Sequence, residues 1–194
     1  TYLSEPEMVR LAQHGIPVSV SPMSELRLAM GFPPVRELHA AGVRVSLSLD
    51  TTAISASADP FQAMRVLVGI EGVRAGDPLA LAPHRAIELA TIEGARSLGL
   101  GDLTGSITPG KRADLILVQL EGLNTSPAVD PVVAVVHSAS PSDVEMVIVD
   151  GRVLKRNGQL VHVTPAAVVA EADAALVRVC ARAGFTPPSG YHQA

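Results

Sequence analysis

A strand–helix–strand pattern near the start of the sequence constrains the fold more than any other feature. Apolar segments at 17–21 and 43–49 flank a helical segment at 34–41, whose first residue, Pro34, suits the first turn of a helix. Two strands joined by a connection of this length pair in parallel through a right-handed crossover. Parallel strands need helices on their faces and further strands beside them. The sequence therefore predicts an α/β fold for about residues 1–100.

Further helical segments surround these two predicted strands. Near the N-terminus, Ser4 and Glu7 form the pattern of a capping box ahead of apolar residues at helical spacing. Asp59 followed by Pro60 is typical of a helix start. The polar, proline-rich segment 22–33 is expected to be a loop. The predicted helices of this part are 5–14, 34–41, 59–73, 83–91 and 92–98.

From about residue 101 the pattern becomes that of a small antiparallel β-module. An apolar strand is predicted at 113–120, and Asp150-Gly151 and Asn157-Gly158 are the turns that two-residue hairpins prefer. The tail after the last helix is expected to be mobile. The sequence thus divides into an α/β part at 1–100, a β-module at 101–163, and a C-terminal helix and tail at 164–194.

The bulk composition excludes several classes of protein. Hydrophobic residues make up 47% of the 194 residues, which is enough for a core and argues against extensive disorder. A net charge of −4 argues against a nucleic-acid partner. Cys180 is the single cysteine, so an internal disulfide and a cysteine-based zinc site are excluded. We expect a cytoplasmic protein without a membrane partner, because no signal peptide opens the chain and no apolar run reaches the roughly 18 residues of a membrane span.

Asp50 is the first candidate for chemistry. It follows the predicted strand 43–49, and ligands of α/β folds bind at the carboxyl ends of parallel strands. Thr51 and other hydroxyl side chains come next, as a polar pocket requires. The alternative interpretation is that Asp50 only caps the next turn.

The segment after the first predicted strand supplies further candidates. Ser24 and Glu25 lie in this segment, at the same edge as Asp50, where they would contact a substrate. The alternative is an ordinary loop with a solvated ion pair between Glu25 and Arg27.

The histidines do not form a recognisable metal motif. The sequence holds six of them, without His-x-His or His-Glu-x-x-His. Most are therefore interpreted as structural. The sequence also lacks a nucleophile elbow and a phosphate-binding loop.

Two adjoining segments carry a family resemblance. APHRAIELATIEGARSLGL at 82–100 and GSITPGKRADLI at 105–116 resemble the closing signature of the amidohydrolase superfamily, in its cytosine-deaminase and chlorohydrolase branch. VIVDGRV at 147–153 is similar to the family's final sandwich strands, and SPMSEL at 21–26 to the loop after barrel strand seven. The resemblance covers about residues 1–163.

The resemblance implies a fold and a specific role for Asp50. The chain would be the C-terminal part of a (β/α)8 TIM-type barrel with a composite β-sandwich module, and Asp50 would be the metal aspartate of strand eight. In such enzymes this carboxylate contacts the metal or its water, takes a proton from the water and passes it to the leaving group. The metal, zinc or iron, makes hydroxide available at neutral pH. Ser24, Glu25 and Thr51 would contact the substrate.

The sequence departs from the family pattern in two motifs and in its extent. Glu25 stands where the family usually has Asn, and SLDT at 48–51 stands where it often has Gly-Thr-Asp-Gly. Both changes bear on the substrate class. The family's His-x-His of strand one and the histidines of strands five and six would precede Thr1. This chain would then keep one ligand of a site that needs about three, and would be a piece of a longer protein.

Two classes of function follow from these features. The first is a metal-dependent amidohydrolase that cleaves C–N bonds, as in deamination or cyclic-amide hydrolysis, or related C–X bonds, with aromatic deamination favoured. The second is a truncated, non-catalytic assembly domain derived from that family. The isolated chain is expected to be inactive and to bind the missing N-terminal half or further copies of itself. A cut barrel would expose strand edges and apolar residues such as Val20 and Val45.

Overall fold

The computed structural model describes residues 2–186, so the predicted tail lies almost entirely outside the described residues. The helices are α1 (Glu5–Gln13), α2 (Pro22–Arg27), α3 (Val35–Ala40), α4 (Thr52–Ser55), α5 (Pro60–Ala75), α6 (Pro83–Ala90), α7 (Ile92–Ser97), α8 (Pro131–His137) and α9 (Pro165–Ala183). The strands are β1 (Val18–Val20), β2 (Val45–Leu47), β3 (Leu115–Val118), β4 (Val144–Val149), β5 (Arg152–Arg156) and β6 (Gln159–Leu160).

β1 and β2 form a two-stranded parallel sheet, as the strand–helix–strand pattern predicts. Val18 lies opposite Val45, and Val20 lies opposite Leu47. Because side chains alternate along a strand, these four residues share one face of the sheet. That face belongs to the hydrophobic core.

Val20 and Val45 were expected to lie exposed on an open barrel interior, and this expectation is wrong. Both side chains are completely buried. The paired residues on the opposite face of the sheet are Ser19 and Ser46. The apolar residues therefore face the core, and the other face carries small hydroxyl side chains.

The core continues from the parallel sheet into a layer of helices. α5, α6 and α8 contact one another, and α6 and α7 pack against β2. Leu67 of α5, Leu89 of α6 and Val136 of α8 are fully buried in this layer. Asp59 starts α5 as expected, since its carboxylate accepts hydrogen bonds from the backbone N–H groups of the first turn.

A buried ion-pair cluster ties α5 to α3. Glu71 of α5 is completely buried, and its Oε1 accepts a hydrogen bond of 2.9 Å from Arg74 Nη1. Arg74 also pairs with Glu37 of α3 and donates to the carbonyl oxygen of Pro33 at 3.1 Å. Burial raises the pKa of Glu71, and the bond from Arg74 opposes that rise. The pair of Arg74 with Glu37 therefore links these two helices.

β3, β4, β5 and β6 form an antiparallel sheet in that order. Positive φ angles at Asp150 and Gly151, and again at Asn157 and Gly158, show the two tight hairpin turns that the sequence predicts. The sheet joins the core through Val144, which is buried at the start of β4.

The segment 22–33 is not entirely the loop that its prolines suggested. It begins with α2, in which Pro22 occupies the first turn, where a missing backbone N–H costs nothing. The residues that follow Pro22 in α2 are Met, Ser, Glu, Leu and Arg, most of which favour helix. The remaining boundaries agree within a few residues, and the strands are shorter than predicted.

α9 lies within the segment 164–194 that was predicted to hold a C-terminal helix, and most of its described surface is exposed. Cys180 is its buried residue. Within residues 2–186, no helix combines the length and apolarity needed to cross a membrane.

Candidate active site

The two parallel strands bring the predicted site segments to the same end of the sheet. α2 starts directly after β1, and α4 starts a few residues after β2. The backbone N–H of Ser48 donates a 2.8 Å hydrogen bond to the carbonyl oxygen of Val20, which joins the two exits. α2 and α4 then contact each other. The two segments that carry the candidates are therefore neighbours at the carboxyl edge, where α/β folds bind ligands.

Asp50 lies between β2 and α4 in an unusual backbone conformation. Its φ angle is +60°, in the left-handed region that costs most non-glycine residues about 1–2 kcal/mol and that Asp adopts more readily than most. Its backbone N–H donates to Ser48 Oγ at 3.1 Å, and the residue is exposed. Strained backbone of this kind concentrates at functional sites. Asp50 therefore lies exposed at the carboxyl edge, where the chain leaves β2.

The cap of α4 is Thr51, and not Asp50 as the alternative interpretation supposed. Thr51 Oγ1 accepts a 3.3 Å hydrogen bond from the backbone N–H of Ala53. The carboxylate of Asp50 is thus spared from capping, while the Thr51 hydroxyl has a structural partner. Thr51 remains exposed beside Asp50.

Ser24 and Glu25 are buried within α2. They are 4% and 6% exposed, respectively. The alternative interpretation of Glu25 as half of a solvated pair with Arg27 is therefore wrong. Ser24 Oγ is buried without a hydrogen-bond partner among the described residues. Burying a hydroxyl in this way costs about 1–3 kcal/mol, a cost that a partner outside the described residues would offset.

Two serines shape this edge: Ser55, which sequence reasoning named among the hydroxyl residues after Asp50, and Ser48, whose supporting role it missed. Ser48 Oγ holds the backbone of Asp50, and buried Ser55 Oγ donates to the carbonyl oxygens of Thr51 and Ser57 at 3.1 and 3.0 Å. The available signal was the spacing, because Ser and Thr side chains commonly bond backbone groups two residues away in turns. These bonds fix the path of the segment that carries Asp50.

The residues present do not by themselves fit a catalytic metal. Over residues 2–186, no group of three or more His, Cys, Asp or Glu side chains is arranged to hold an ion. A catalytic metal needs about three protein ligands. Asp50 can supply at most one of them.

Comparison with known proteins identifies the family to which the chain belongs. The profile of the amidohydrolase family matches residues 1–154. The chain therefore belongs to the amidohydrolase family, as the resemblance in the segments 82–100 and 105–116 implied.

Particular relatives within that family are deaminases and a triazine hydrolase. A 5-methylthioadenosine/S-adenosylhomocysteine deaminase of Desulforudis audaxviator is 37% identical over 172 residues, which cover 89% of this chain and 40% of the relative. An S-triazine hydrolase of Gordonia rubripertincta is 37% identical over 178 residues, covering 90% and 37%. The crystal structure of an adenosine deaminase from Xanthomonas campestris with bound zinc matches with a TM-score of 0.88 at 34% identity, covering 92% and 41%.

The extent of these matches bears on the metal site. The chain spans about two fifths of the length of these relatives. A match of this extent is consistent with the lack of a full ligand set in the part of the chain that the structure describes.

Proposed function

We propose that the protein containing this chain is a metal-dependent hydrolase that deaminates an aromatic ring, with adenine nucleosides as the first substrate class to test. The observation that carries this proposal is the exposed carboxylate of Asp50, held in a left-handed conformation at the carboxyl edge of two parallel strands. The deaminase names of two relatives support the substrate class. The family match favours this function over a non-catalytic assembly domain.

The proposed architecture assigns each part of the chain a place in that enzyme. Residues 1–100 would supply the last two strands of a (β/α)8 barrel with their helices. Residues 101–163 would form part of a composite β-sandwich, and residues 164–194 its C-terminal helix and tail. The parallel β1–β2 pair and the antiparallel β3–β6 sheet support this division.

In the proposed mechanism, Asp50 moves a proton. Its carboxylate accepts the proton of an attacking water and then delivers it to the ring amino group. The C–O bond forms, the C–N bond breaks, and ammonia leaves with that proton. A divalent metal, zinc or iron, would have Asp50 as one ligand and the others in the segment outside this chain, and it would supply hydroxide at neutral pH.

The substrate would be oriented by the residues around Asp50. Glu25 and Ser24 are buried in α2, so they would act on substrate from a desolvated position where polar contacts discriminate strongly. Thr51 caps α4, so its contact with substrate would be limited to the exposed side of its hydroxyl.

Replacement of Asp50 by Asn in the full-length protein tests the proposal. The variant should keep its fold and lose about 10²–10⁴-fold in kcat, because an amide cannot take the proton. Asp102→Asn, at an exposed aspartate outside the edge, is the matched control and should keep full activity. Ammonia release from adenosine and from 5′-substituted adenosines is the assay. An Asp50→Asn enzyme with unchanged turnover contradicts the role assigned to this residue.

A triazine substrate is the second candidate, because an S-triazine hydrolase is as similar in sequence as the deaminase. Ammonia release from adenosine and chloride release from a chlorinated triazine, measured in parallel, distinguish the two. Glu25→Asn, which restores the residue usual in the family, is expected to change the ratio of kcat/KM for the two substrates.

We further propose that the chain binds the missing N-terminal half or assembles with its own copies. Within residues 2–186, the parallel sheet holds only β1 and β2, whose outer edges are open to pairing. Sedimentation at micromolar concentration tests this. A well-folded, strictly monomeric 20.1 kDa species in the absence of the N-terminal half contradicts the proposal.

A further inference from the structure

A polar cavity of about 350 Å³ lies at the end of β2 opposite to Asp50. The segment just before β2 forms one wall, the end of α3 forms a second, and α6 and α7 form the rest. The lining residues are His39, Gly42, Val43, Arg44, Arg85, Glu93 and Arg96.

Three guanidinium groups in this cavity share one buried carboxylate. Glu93 is 8% exposed, and its carboxylate oxygens lie 2.9 Å from Arg96 Nη1, 3.5 Å from Arg85 Nη1 and 3.7 Å from Arg44 Nε. Glu88 adds a second carboxylate, 2.5 Å from Arg85 Nη1. Three cations therefore face two anions. Arg44 and Arg96 have about half of their side chains exposed, so donors remain available to a ligand.

His39 adds a titratable group to the same wall. Its Nε2 lies 3.4 Å from Arg85 Nη2, a distance at which a neutral ring nitrogen accepts a hydrogen bond. Burial lowers the pKa of His39, Arg85 lowers it further, and Glu93 opposes both. A bound anion would favour the protonated ring and make it a further donor.

We propose that this cavity binds a small oxyanion of the phosphate class, either free or as a phosphate ester. Guanidinium groups match the geometry of phosphate oxygens with paired N–H donors. The excess of positive charge and the polar lining suit such a ligand, and the cavity is large enough to admit either the free ion or an ester. Its binding would clamp α6 and α7 to the segment that enters β2, because Arg44, Arg85 and Arg96 come from all three.

Calorimetric titration of the full-length protein with inorganic phosphate, at constant ionic strength, tests this proposal. The wild-type protein should show saturable binding of one phosphate, and Arg96→Gln should weaken it about tenfold, the value of one charge-assisted hydrogen bond. Arg152→Gln, on β5 of the antiparallel sheet, changes the net charge equally and should bind as the wild type does. Titration with glycerol phosphate distinguishes an ester from the free ion, since tighter binding of the ester assigns the site to esters.

A second pair of variants separates binding from folding. Glu93→Gln removes the competing carboxylate and should tighten phosphate binding, whereas loss of a merely structural ion-pair cluster would not. Sulfate, whose charge is constant, should bind more tightly as pH falls from 7 to 5, because the pKa of His39 is lowered from its usual value and the ring becomes protonated toward the lower end of this range. That trend should vanish in His39→Gln. The absence of saturable binding to the wild type, or equal binding by wild type and Arg96→Gln, overturns the proposal.

Discussion

Replacing Arg74 with methionine would leave Glu71 as a buried carboxylate without its cation. The substitution keeps much of the side-chain length but removes three contacts: the 2.9 Å bond to Glu71, the pairing with Glu37, and the 3.1 Å bond to the carbonyl oxygen of Pro33. Glu71 has no exposed surface, so water cannot replace the guanidinium without local rearrangement. The folded protein must then either bury a charge or protonate it.

The expected cost follows from the burial of each partner. Removing one member of a buried ion pair costs about 3–5 kcal/mol. The pair with Glu37 adds little, because about half of the Glu37 side chain is exposed and such pairs contribute about 0–1 kcal/mol. We therefore expect Arg74→Met to lower the free energy of unfolding by about 3–5 kcal/mol at pH 7.

The cost should shrink at low pH. Burial raises the pKa of Glu71 in the folded protein, and loss of Arg74 raises it further. A carboxyl group with a raised folded-state pKa contributes most stability below its unfolded pKa of about 4.3 and loses it as pH rises through the folded-state pKa. The difference between wild type and variant should therefore be smaller at pH 5 than at pH 7.

Urea denaturation followed by circular dichroism at pH 5 and pH 7 measures these differences. The double variant Glu71→Leu/Arg74→Met, in which no buried charge remains, should recover most of the loss. Arg152→Met is the surface control, with an expected change within about 0.5 kcal/mol. A loss below about 1 kcal/mol, a loss independent of pH, or a double variant no more stable than Arg74→Met would refute this reasoning.

Three further substitutions test the core, a helix cap and the strained residue. Leu89→Ala should lower the free energy of unfolding by about 2–5 kcal/mol, since Leu89 is fully buried. The control Leu79→Ala, at a side chain that is 79% exposed, should change it little in the same urea titration. Asp59→Ala should lower the free energy of unfolding by about 0.5–2 kcal/mol, because α5 loses its cap. Asp59→Asn should keep most of the stability of the wild type, because its amide oxygen can still accept the capping bonds. Asp50→Gly should raise the unfolding free energy by up to about 1 kcal/mol by relieving its positive φ, yet abolish ammonia release. A stabilised and fully active Asp50→Gly enzyme would contradict its proposed role.

The elements that the sequence predicted well are those with strong local signals. The turns at Asp150-Gly151 and Asn157-Gly158 form as predicted, because both residues of each turn adopt the positive φ angles that a two-residue hairpin requires. α2 was missed because prolines frame its segment, although Pro22 is well suited to a first helical turn. The burial of the apolar residues of β1 and β2 was also predicted wrongly. The apolar residues of 43–49 alternate with Arg44, Ser46 and Ser48, but this alternation does not show whether the apolar face lies against helices or toward a barrel interior.

The candidate site was only partly visible in the sequence. Asp50 could be selected from its place after an apolar strand and from the family motif. Its left-handed backbone, the Ser48 bond that supports it and the transfer of the capping role to Thr51 depend on three-dimensional geometry. The burial of Glu25 depends on α2 packing against α4 and α5, which are distant in sequence. Local propensity carries no information about such contacts.

The parallel pairing of β1 and β2 has a consequence for isotope exchange. Val18 and Val20 direct their backbone groups toward β2, as the bonds from the Val18 N–H to Arg44 and from the Ser48 N–H to Val20 show. Ser19, between them, directs its N–H and carbonyl to the other side. The amide hydrogen of Ser19 should therefore exchange with deuterium quickly in the separate chain and slowly once another strand pairs with β1. A single amide thus reports when this edge of the protein becomes occupied.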